Sequence, residues 1–210
     1  MDLAEWPVVL ILAGLTAYTV LGGADFGAGL WHMLLPGERR RPLRDHTYHA
    51  MGPVWEANHV WLIFVLVVAW TAYPSAFGSI FSTLYVPLFL AAVGIILRGT
   101  MYALRSQVTG GRDELVVGLI FGVSSVLTPF ALGAAVGGIA SGRVPVGNAA
   151  GEPFGSWLNP TSLTVGALAV VTSAYLAAVW LTADGARVGR DDLVGPFRNR
   201  ALVTGALAGA

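Results

Sequence analysis

The sequence predicts an all-α, polytopic transmembrane helical bundle with five complete spans, the start of a sixth, and an N-terminus outside the cell. Hydrophobic residues make up 55% of its 210 positions and charged residues only 11%. Soluble domains carry about 25% charged residues. The mean hydropathy of +0.68 points the same way, so lipid is the expected solvent for most of the surface.

Five apolar runs approach or exceed the roughly 20 residues that a helix needs to cross the hydrocarbon core. In chain order they cover residues 6–35, 48–72, 75–104, 115–140 and 161–183. A sixth apolar run extends from Ala201 to Ala210 and is too short to cross. We therefore expect residues 1–210 to form a single integral-membrane domain.

The arginines indicate the orientation of the spans. Ten of the 12 lie in the loops that follow the first, third and fifth runs. Arg143 lies in the fourth loop, and only Arg98 lies inside a run. Because Lys and Arg in short loops favour the cytoplasmic side, the odd-numbered loops are predicted to be cytoplasmic and the N-terminus external.

Composition excludes several functional classes. The formal net charge is zero, so no nucleic-acid partner is expected through bulk positive charge. There is no cysteine, which excludes disulfides, thiolate metal sites and a cysteine nucleophile. The first apolar run is too long for the core of a cleavable signal peptide and has no basic segment before it.

Two carboxylates lie inside the predicted spans, Asp25 in the first and Glu56 in the second. A charged side chain at the bilayer centre costs about 3 kcal/mol on insertion scales. Asp25 lies ten residues before Leu35, and Glu56 lies ten residues after His46, near which the second helix is expected to enter the membrane. Each acid is therefore expected about 15 Å below the inner surface. At this matched depth the two acids could meet and share a proton, as in a proton relay, or each could simply bind a neighbouring helix.

Other polar and aromatic residues leave alternatives open. Arg98 could pair with Asp25 or Glu56, or extend its charged end to the inner surface. The four histidines are interfacial polar groups or single ligands to a metal or haem. Trp61 belongs to an aromatic second span that serves either packing or the wall of a quinone or haem site.

Three segments of the chain carry a distinctive pattern. The first is Gly-Ala-Asp-Phe-Gly-Ala-Gly-Leu-Trp at 23–31, the second is Gly-Pro-Val-Trp-Glu-Ala-Asn-His-Val-Trp-Leu at 52–62, and the third is 85–99, which contains Arg98. Together they resemble subunit II of the cytochrome bd quinol oxidases, and the third is similar to that family's third helix, including its arginine. The resemblance is strongest over the first three helices.

The resemblance implies a non-haem subunit of a two-subunit terminal oxidase in the bacterial inner membrane. That enzyme is a quinol:oxygen oxidoreductase, and it takes up cytoplasmic protons as it reduces dioxygen to water. The resemblance implies that this chain holds no cofactor and that a haem-bearing subunit I holds haem b and haem d. It leaves open whether a quinone is bound. Glu56 and Asp25 would belong to the proton pathway, Arg98 would be their charge partner, and Trp61 would contact a quinone.

The sequence departs from the family pattern in two ways. Many members have Asp where Glu56 stands, and members have about eight spans, so the chain is expected to be incomplete at its C-terminal end. Two other functions stay open. One is a proton-coupled secondary transporter with buried carboxylates at broken helices, and the other is a scaffolding subunit whose acids are structural.

Overall fold

The computed structural model describes residues 5–35, 41–51, 55–105, 107–108 and 111–210. These residues form an all-helical fold, and no strand occurs among them. Five of the helices are long and apolar enough to cross a membrane, in agreement with the predicted number of spans. The spans are Trp6–Met33, Trp55–Ala72, Tyr85–Leu104, Gly111–Ala140 and Pro160–Arg187.

The first span consists of α1 (Trp6–Ala17), a π-helical turn (Tyr18–Gly22) and α2 (Gly23–Met33). The helices that follow are α3 (Arg41–Met51), α4 (Trp55–Ala72), α5 (Pro74–Thr83), α6 (Tyr85–Arg105), α7 (Gly111–Ala140), α8 (Pro160–Arg187) and α9 (Asp191–Gly209). Arg39 and Arg40, which contribute to the predicted orientation, lie outside the described residues.

The predicted second run, 48–72, covers the last residues of α3, 48–51, and the membrane-spanning helix α4. α3 is polar, with charged or imidazole side chains at Arg41, Arg44, Asp45 and His46. An aqueous end of the bundle is therefore its expected environment. Residues 52–54, between the two helices, lie outside the described residues.

The predicted third run, 75–104, was wrong as a single helix. A bend at Leu84 separates α5 from α6. Pro87, in the first turn of α6, cannot donate a backbone hydrogen bond, and its ring would clash with the carbonyl four residues earlier, at Thr83. A helix passing straight through Leu84 is thus disfavoured, and of these two helices only α6 is long and apolar enough to cross a membrane.

The helix that contains the predicted sixth run, 201–210, begins earlier in the chain than that run. α9 begins at Asp191, ten residues earlier, with two acids in its first turn. Hydrogen bonds from Arg190, just before the helix, hold the pKa of Asp192 below its ordinary value. This polar turn carries no hydropathy signal, which explains why an apolar pattern alone misses it.

The interior is built on close contacts between α2, α7 and α8. A Cβ atom on Gly27 would overlap the backbone carbonyl of Ser173 in α8, and one on Gly29 would overlap Ser125 in α7. Small residues let helix backbones approach in this way in membranes. At the inner end of α2, Leu35, Leu181 and Phe197 are fully buried in one apolar cluster.

Polar contacts at the two ends of the bundle agree with the predicted alternation of loops. At one end the loop before α8 binds α5, where Ala149 N donates to Ser79 Oγ at 3.2 Å and Gly151 N to Thr83 Oγ1 at 2.9 Å. At the other end His46 of α3 lies 3.8 Å from the carboxylate of Asp184 in α8. α5 and the loop before α8 therefore share one side of the bundle, and α3 lies on the opposite side.

Candidate functional site around Asp25 and Arg98

Asp25 lies in the first turn of α2 and is completely buried, with 0% of its surface exposed. One carboxylate oxygen, Oδ2, accepts a hydrogen bond from Asn58 Nδ2 of α4 at 2.8 Å. The other, Oδ1, has no hydrogen-bond partner among the described residues. A buried carboxylate satisfied on one side only is costly, which marks Asp25 as a candidate functional group.

Arg98 of α6 is also buried, and it links three helices. Its Nη2 donates to the backbone oxygen of Asp25 at 2.7 Å, and its Nε donates to Ser125 Oγ of α7 at 3.2 Å. The guanidinium also lies over the rings of Phe26 and Phe121, 5.1 and 5.2 Å from their centroids. Its charge therefore stays inside the bundle and does not extend to the inner surface.

The contact between Arg98 and Asp25 runs through the backbone. The guanidinium binds the main-chain oxygen of Asp25, and no ion pair between the two side chains occurs among the described residues. The guanidinium therefore binds next to Asp25 without holding its carboxylate. The structure thus brings together two of the residues predicted from the sequence.

Glu56 does not join them. It lies in the first turn of α4, and its side chain is exposed, with no hydrogen bond or ion pair to any described residue. Successive helical residues are rotated by about 100°, so positions 56 and 58 are about 200° apart. Because Asn58 faces Asp25, Glu56 points to the opposite side of α4. The expected meeting of the two carboxylates does not occur within this chain.

Aromatic rings surround the buried acid on the side away from Ser125. Tyr18 contacts His59 edge-on, with 5.8 Å between ring centroids, and Phe26 lies 6.0 Å from the same imidazole. The His59 ring is anchored by a hydrogen bond from Nδ1 to the Trp55 carbonyl at 2.9 Å. These rings pack against one another between the first span and α4.

Trp61, the predicted quinone contact, lies outside this cluster. It is 39% exposed on α4 and packs edge-on against Phe64, with 6.3 Å between centroids. Its indole is therefore available to a ligand or a partner at the surface of the bundle.

The helices at the centre of the bundle are closely packed. Among them, no group of three or more His, Asp or Glu side chains could hold a metal ion. α2, α7 and α8 meet where glycine Cβ positions would already overlap a neighbour, as at Gly27 and Gly29, so a planar macrocycle has no room between them. The interior of these helices is closed to a large cofactor.

Three members of the site were not among the residues predicted from the sequence to act. Asn58 holds the carboxylate, Ser125 holds the guanidinium, and Tyr18 covers the pocket. Asn58 carried a detectable signal, since an amide in an apolar span requires a partner. Ser125 looked like part of a small-residue packing face. Tyr18 lies near the middle of the first run, where a single tyrosine has no neighbouring pattern that marks it.

Known proteins similar to this chain are oxidase subunits. The chain is 27% identical over 126 residues to cytochrome bd ubiquinol oxidase subunit 2 of Bacillus subtilis, an alignment covering 60% of this chain and 36% of that protein. It is 28% identical over 139 residues to cytochrome bd-I ubiquinol oxidase subunit 2 of Escherichia coli K12, covering 65% and 35%. A putative cytochrome bd menaquinol oxidase subunit II of B. subtilis is 21% identical over 196 residues, covering 91% and 55%. The chain thus spans between a third and about half of the length of these relatives.

The fold leads to the same group. The bd oxidase of Geobacillus thermodenitrificans superposes with a TM-score of 0.72 at 12% identity, covering 98% of this chain and 55% of that one. At this identity the superposition supports the fold alone. The family model for cytochrome bd terminal oxidase subunit II matches residues 3–210, nearly the whole sequence. This chain therefore belongs to the family of cytochrome bd terminal oxidase subunit II.

Proposed function

We propose that this chain is the non-haem subunit of a bacterial inner-membrane terminal oxidase that couples quinol oxidation to the reduction of dioxygen to water. Membership of the subunit II family and five membrane-spanning helices support this function. The redox chemistry would be supplied by haem b and haem d in a haem-bearing subunit I. This chain would support assembly and supply part of the proton route from the cytoplasm.

The proton route is the chemical contribution proposed for this chain. Each dioxygen reduced to water consumes four protons, and a site inside the bilayer requires titratable groups to deliver them. Asp25 is suited to hold such a proton, because it is fully buried and its Oδ1 has no partner among the described residues. This half-satisfied carboxylate is the single observation that carries the proposal.

Arg98 has a positioning role in this proposal. It binds the main chain of Asp25 and leaves the carboxylate oxygens able to change protonation state. A direct bidentate ion pair would instead hold the acid in one state.

Glu56 is proposed to be the entry residue at the junction with subunit I. It begins a face of α4 that continues through Val60, Ile63, Val67 and Trp70, each at least half exposed. Only 11% of the apolar window of α4 is buried, against 28–44% in the other four spans. A carboxylate facing acyl chains is costly, so this α4 face is the proposed contact with the partner subunit.

Trp61 is proposed to contact a quinone ring at the edge of this face. Its indole is partly exposed beside Phe64 and presents a flat apolar surface. Replacement of Trp61 by Leu is expected to raise the KM for quinol with little change in kcat. A Trp180→Leu control, at an exposed position on α8, is expected to leave the KM unchanged.

The proposed function is tested on the complex purified through a tag on this chain. A haem-bearing larger subunit should copurify, the absorption spectrum should show a d-type haem band, and added quinol should drive oxygen consumption. Purification without any haem-bearing chain, or proton-driven solute uptake by the chain in vesicles, would contradict the proposal and favour a transporter.

A further inference from the structure

Ser125 of α7 lies where α2, α6 and α7 meet, and it is only 1% exposed. A Cβ atom on Gly29 of α2 would overlap the Ser125 side chain. About one turn further along α7, a Cβ atom on Gly94 of α6 would overlap the hydroxyl of Thr128. The backbones of α2 and α6 therefore both approach α7 closely at this level, and the Ser125 side chain is enclosed between them.

The Ser125 hydroxyl is an acceptor for Arg98. It donates its single hydrogen to the Phe121 carbonyl in the preceding turn of α7, at 2.6 Å. Its oxygen then accepts from Arg98 Nε at 3.2 Å. Because a hydroxyl has one donor and two acceptor positions, the bond to Phe121 fixes the direction in which Ser125 presents its lone pairs.

This contact sets the direction of the guanidinium. A carboxylate is the stronger acceptor, since guanidinium groups bind it in short and often bidentate contacts. Asp25 Oδ1 has no partner among the described residues, yet Arg98 Nη2 binds the main-chain oxygen of Asp25 at 2.7 Å. Among the described side chains, only Ser125 accepts a hydrogen bond from Arg98. The bond to Nε is therefore the directional contact that can keep the guanidinium off the carboxylate.

We propose that Ser125 is a positioning residue that holds Arg98 on the main chain of Asp25 and away from its carboxylate. The hydroxyl is neutral, so it satisfies Nε without pairing the guanidinium with a second charge. Without the hydroxyl, the guanidinium turns to the carboxylate of Asp25 and forms an ion pair with it. The inference rests on the proposed function, in which the carboxylate of Asp25 stays free to change its protonation state.

The neighbouring Ser124 supplies a matched control. Its hydroxyl donates to the same Phe121 carbonyl, at 3.0 Å, and the residue is 2% exposed. The side-chain hydrogen bonds of Arg98 go to Ser125 and to Asp25, and not to Ser124. Ser124→Ala and Ser125→Ala therefore remove the same buried atom and the same bond to α7, but only the second removes an acceptor of Arg98.

Steady-state kinetics of the purified oxidase complex test the role first. In Ser125→Ala, kcat for quinol oxidation should fall about 10- to 100-fold, because a displacement of about 1 Å at a site can cost about 100-fold. The KM for quinol should stay unchanged, since the buried hydroxyl cannot contact the substrate. Ser124→Ala should keep the wild-type kcat. Haem content and melting temperature should be the same in both variants, since each loses one equivalent hydrogen bond to Phe121.

Infrared spectroscopy tests the geometry without turnover. The complex is labelled with isotope-enriched aspartate, and the bands of the Asp25 carboxyl group are assigned by their loss in Asp25→Asn. These bands should shift in Ser125→Ala, because the carboxyl group gains the guanidinium as a partner. They should stay in place in Ser124→Ala. A loss of packing alone would not move them in either variant.

The results separate the positioning role from the function on which it rests. Wild-type kcat and unshifted Asp25 bands in Ser125→Ala, in a complex with quinol oxidase activity, would overturn the positioning role alone. Equal losses of kcat in the two serine variants, or failure of Ser125→Ala to assemble, would also overturn it, because the hydroxyl would then serve packing. A wild-type complex without quinol oxidase activity would overturn the proposed function, and the infrared comparison would still test the contact.

Discussion

Arg98→Met removes the guanidinium and keeps most of the apolar stem. The substitution deletes two charged hydrogen bonds, to Asp25 O and Ser125 Oγ, and the contacts with two phenyl rings. Hydrogen bonds of charged groups contribute about 1.5–3 kcal/mol each, and part of this is offset because desolvation of the guanidinium is also removed. Breaking a buried charge arrangement typically costs about 3–5 kcal/mol. We therefore expect a loss of about 3 kcal/mol, at the lower end of this range.

For a chain of 150–250 residues, 1 kcal/mol corresponds to about 2–4 °C in melting temperature. Arg98→Met should thus lower the Tm of the purified complex, followed by tryptophan fluorescence, by about 6–12 °C. Arg198→Met, on an exposed side chain of α9, is the matched control and should shift it little.

A double variant identifies the cause of the loss. Adding Asp25→Asn to Arg98→Met removes the carboxylate that would otherwise stay buried without a cation. The double variant should therefore recover about 1–3 kcal/mol of the loss, which is the usual coupling between contacting groups. A Tm for Arg98→Met equal to that of wild type, or strictly additive effects in the double variant, would refute the electrostatic reasoning.

Three further predictions follow from burial and close packing. Asp25→Asn alone should abolish turnover or lower the haem content of the complex, measured by oxygen consumption and absorption spectra; normal values for both would count against a role for Asp25. Gly27→Ala should prevent stable assembly because its Cβ would overlap a backbone carbonyl of α8, whereas Gly195→Ala, with open space around it, should be tolerated. Phe197→Ala, at a fully buried position, should cost about 3–5 kcal/mol, whereas Leu202→Ala, 63% exposed, should change the Tm little.

The number of spans was predictable because hydropathy integrates over about 20 residues. The residues at which the helices begin and end were harder to predict. The bend at Leu84 depends on where Pro87 falls relative to a helix start, and the first turn of α9 is polar. A hydropathy pattern detects neither feature, so the third run was predicted as one helix and the start of the last helix was missed.

The charged residues of the site could be predicted from the sequence. Their arrangement relative to one another was harder to predict. Asp25 and Arg98 stand out as charges in apolar runs, and they do come together. The rotation of α4 about its axis decides which of its residues faces Asp25. The residue that does so is Asn58 and not Glu56. Exposed apolar residues continue around most of α4, so its hydropathy pattern does not fix that rotation.

Proton uptake during turnover tests the central claim most directly. The reduced complex is mixed with dioxygen in weakly buffered medium that contains a pH-indicator dye, and Glu56→Gln is compared with Glu114→Gln, the same change near the start of α7. The account predicts that Glu56→Gln slows proton uptake about tenfold or more, with its haem content intact, and that Glu114→Gln matches wild type. Uptake in Glu56→Gln at the wild-type rate would contradict it.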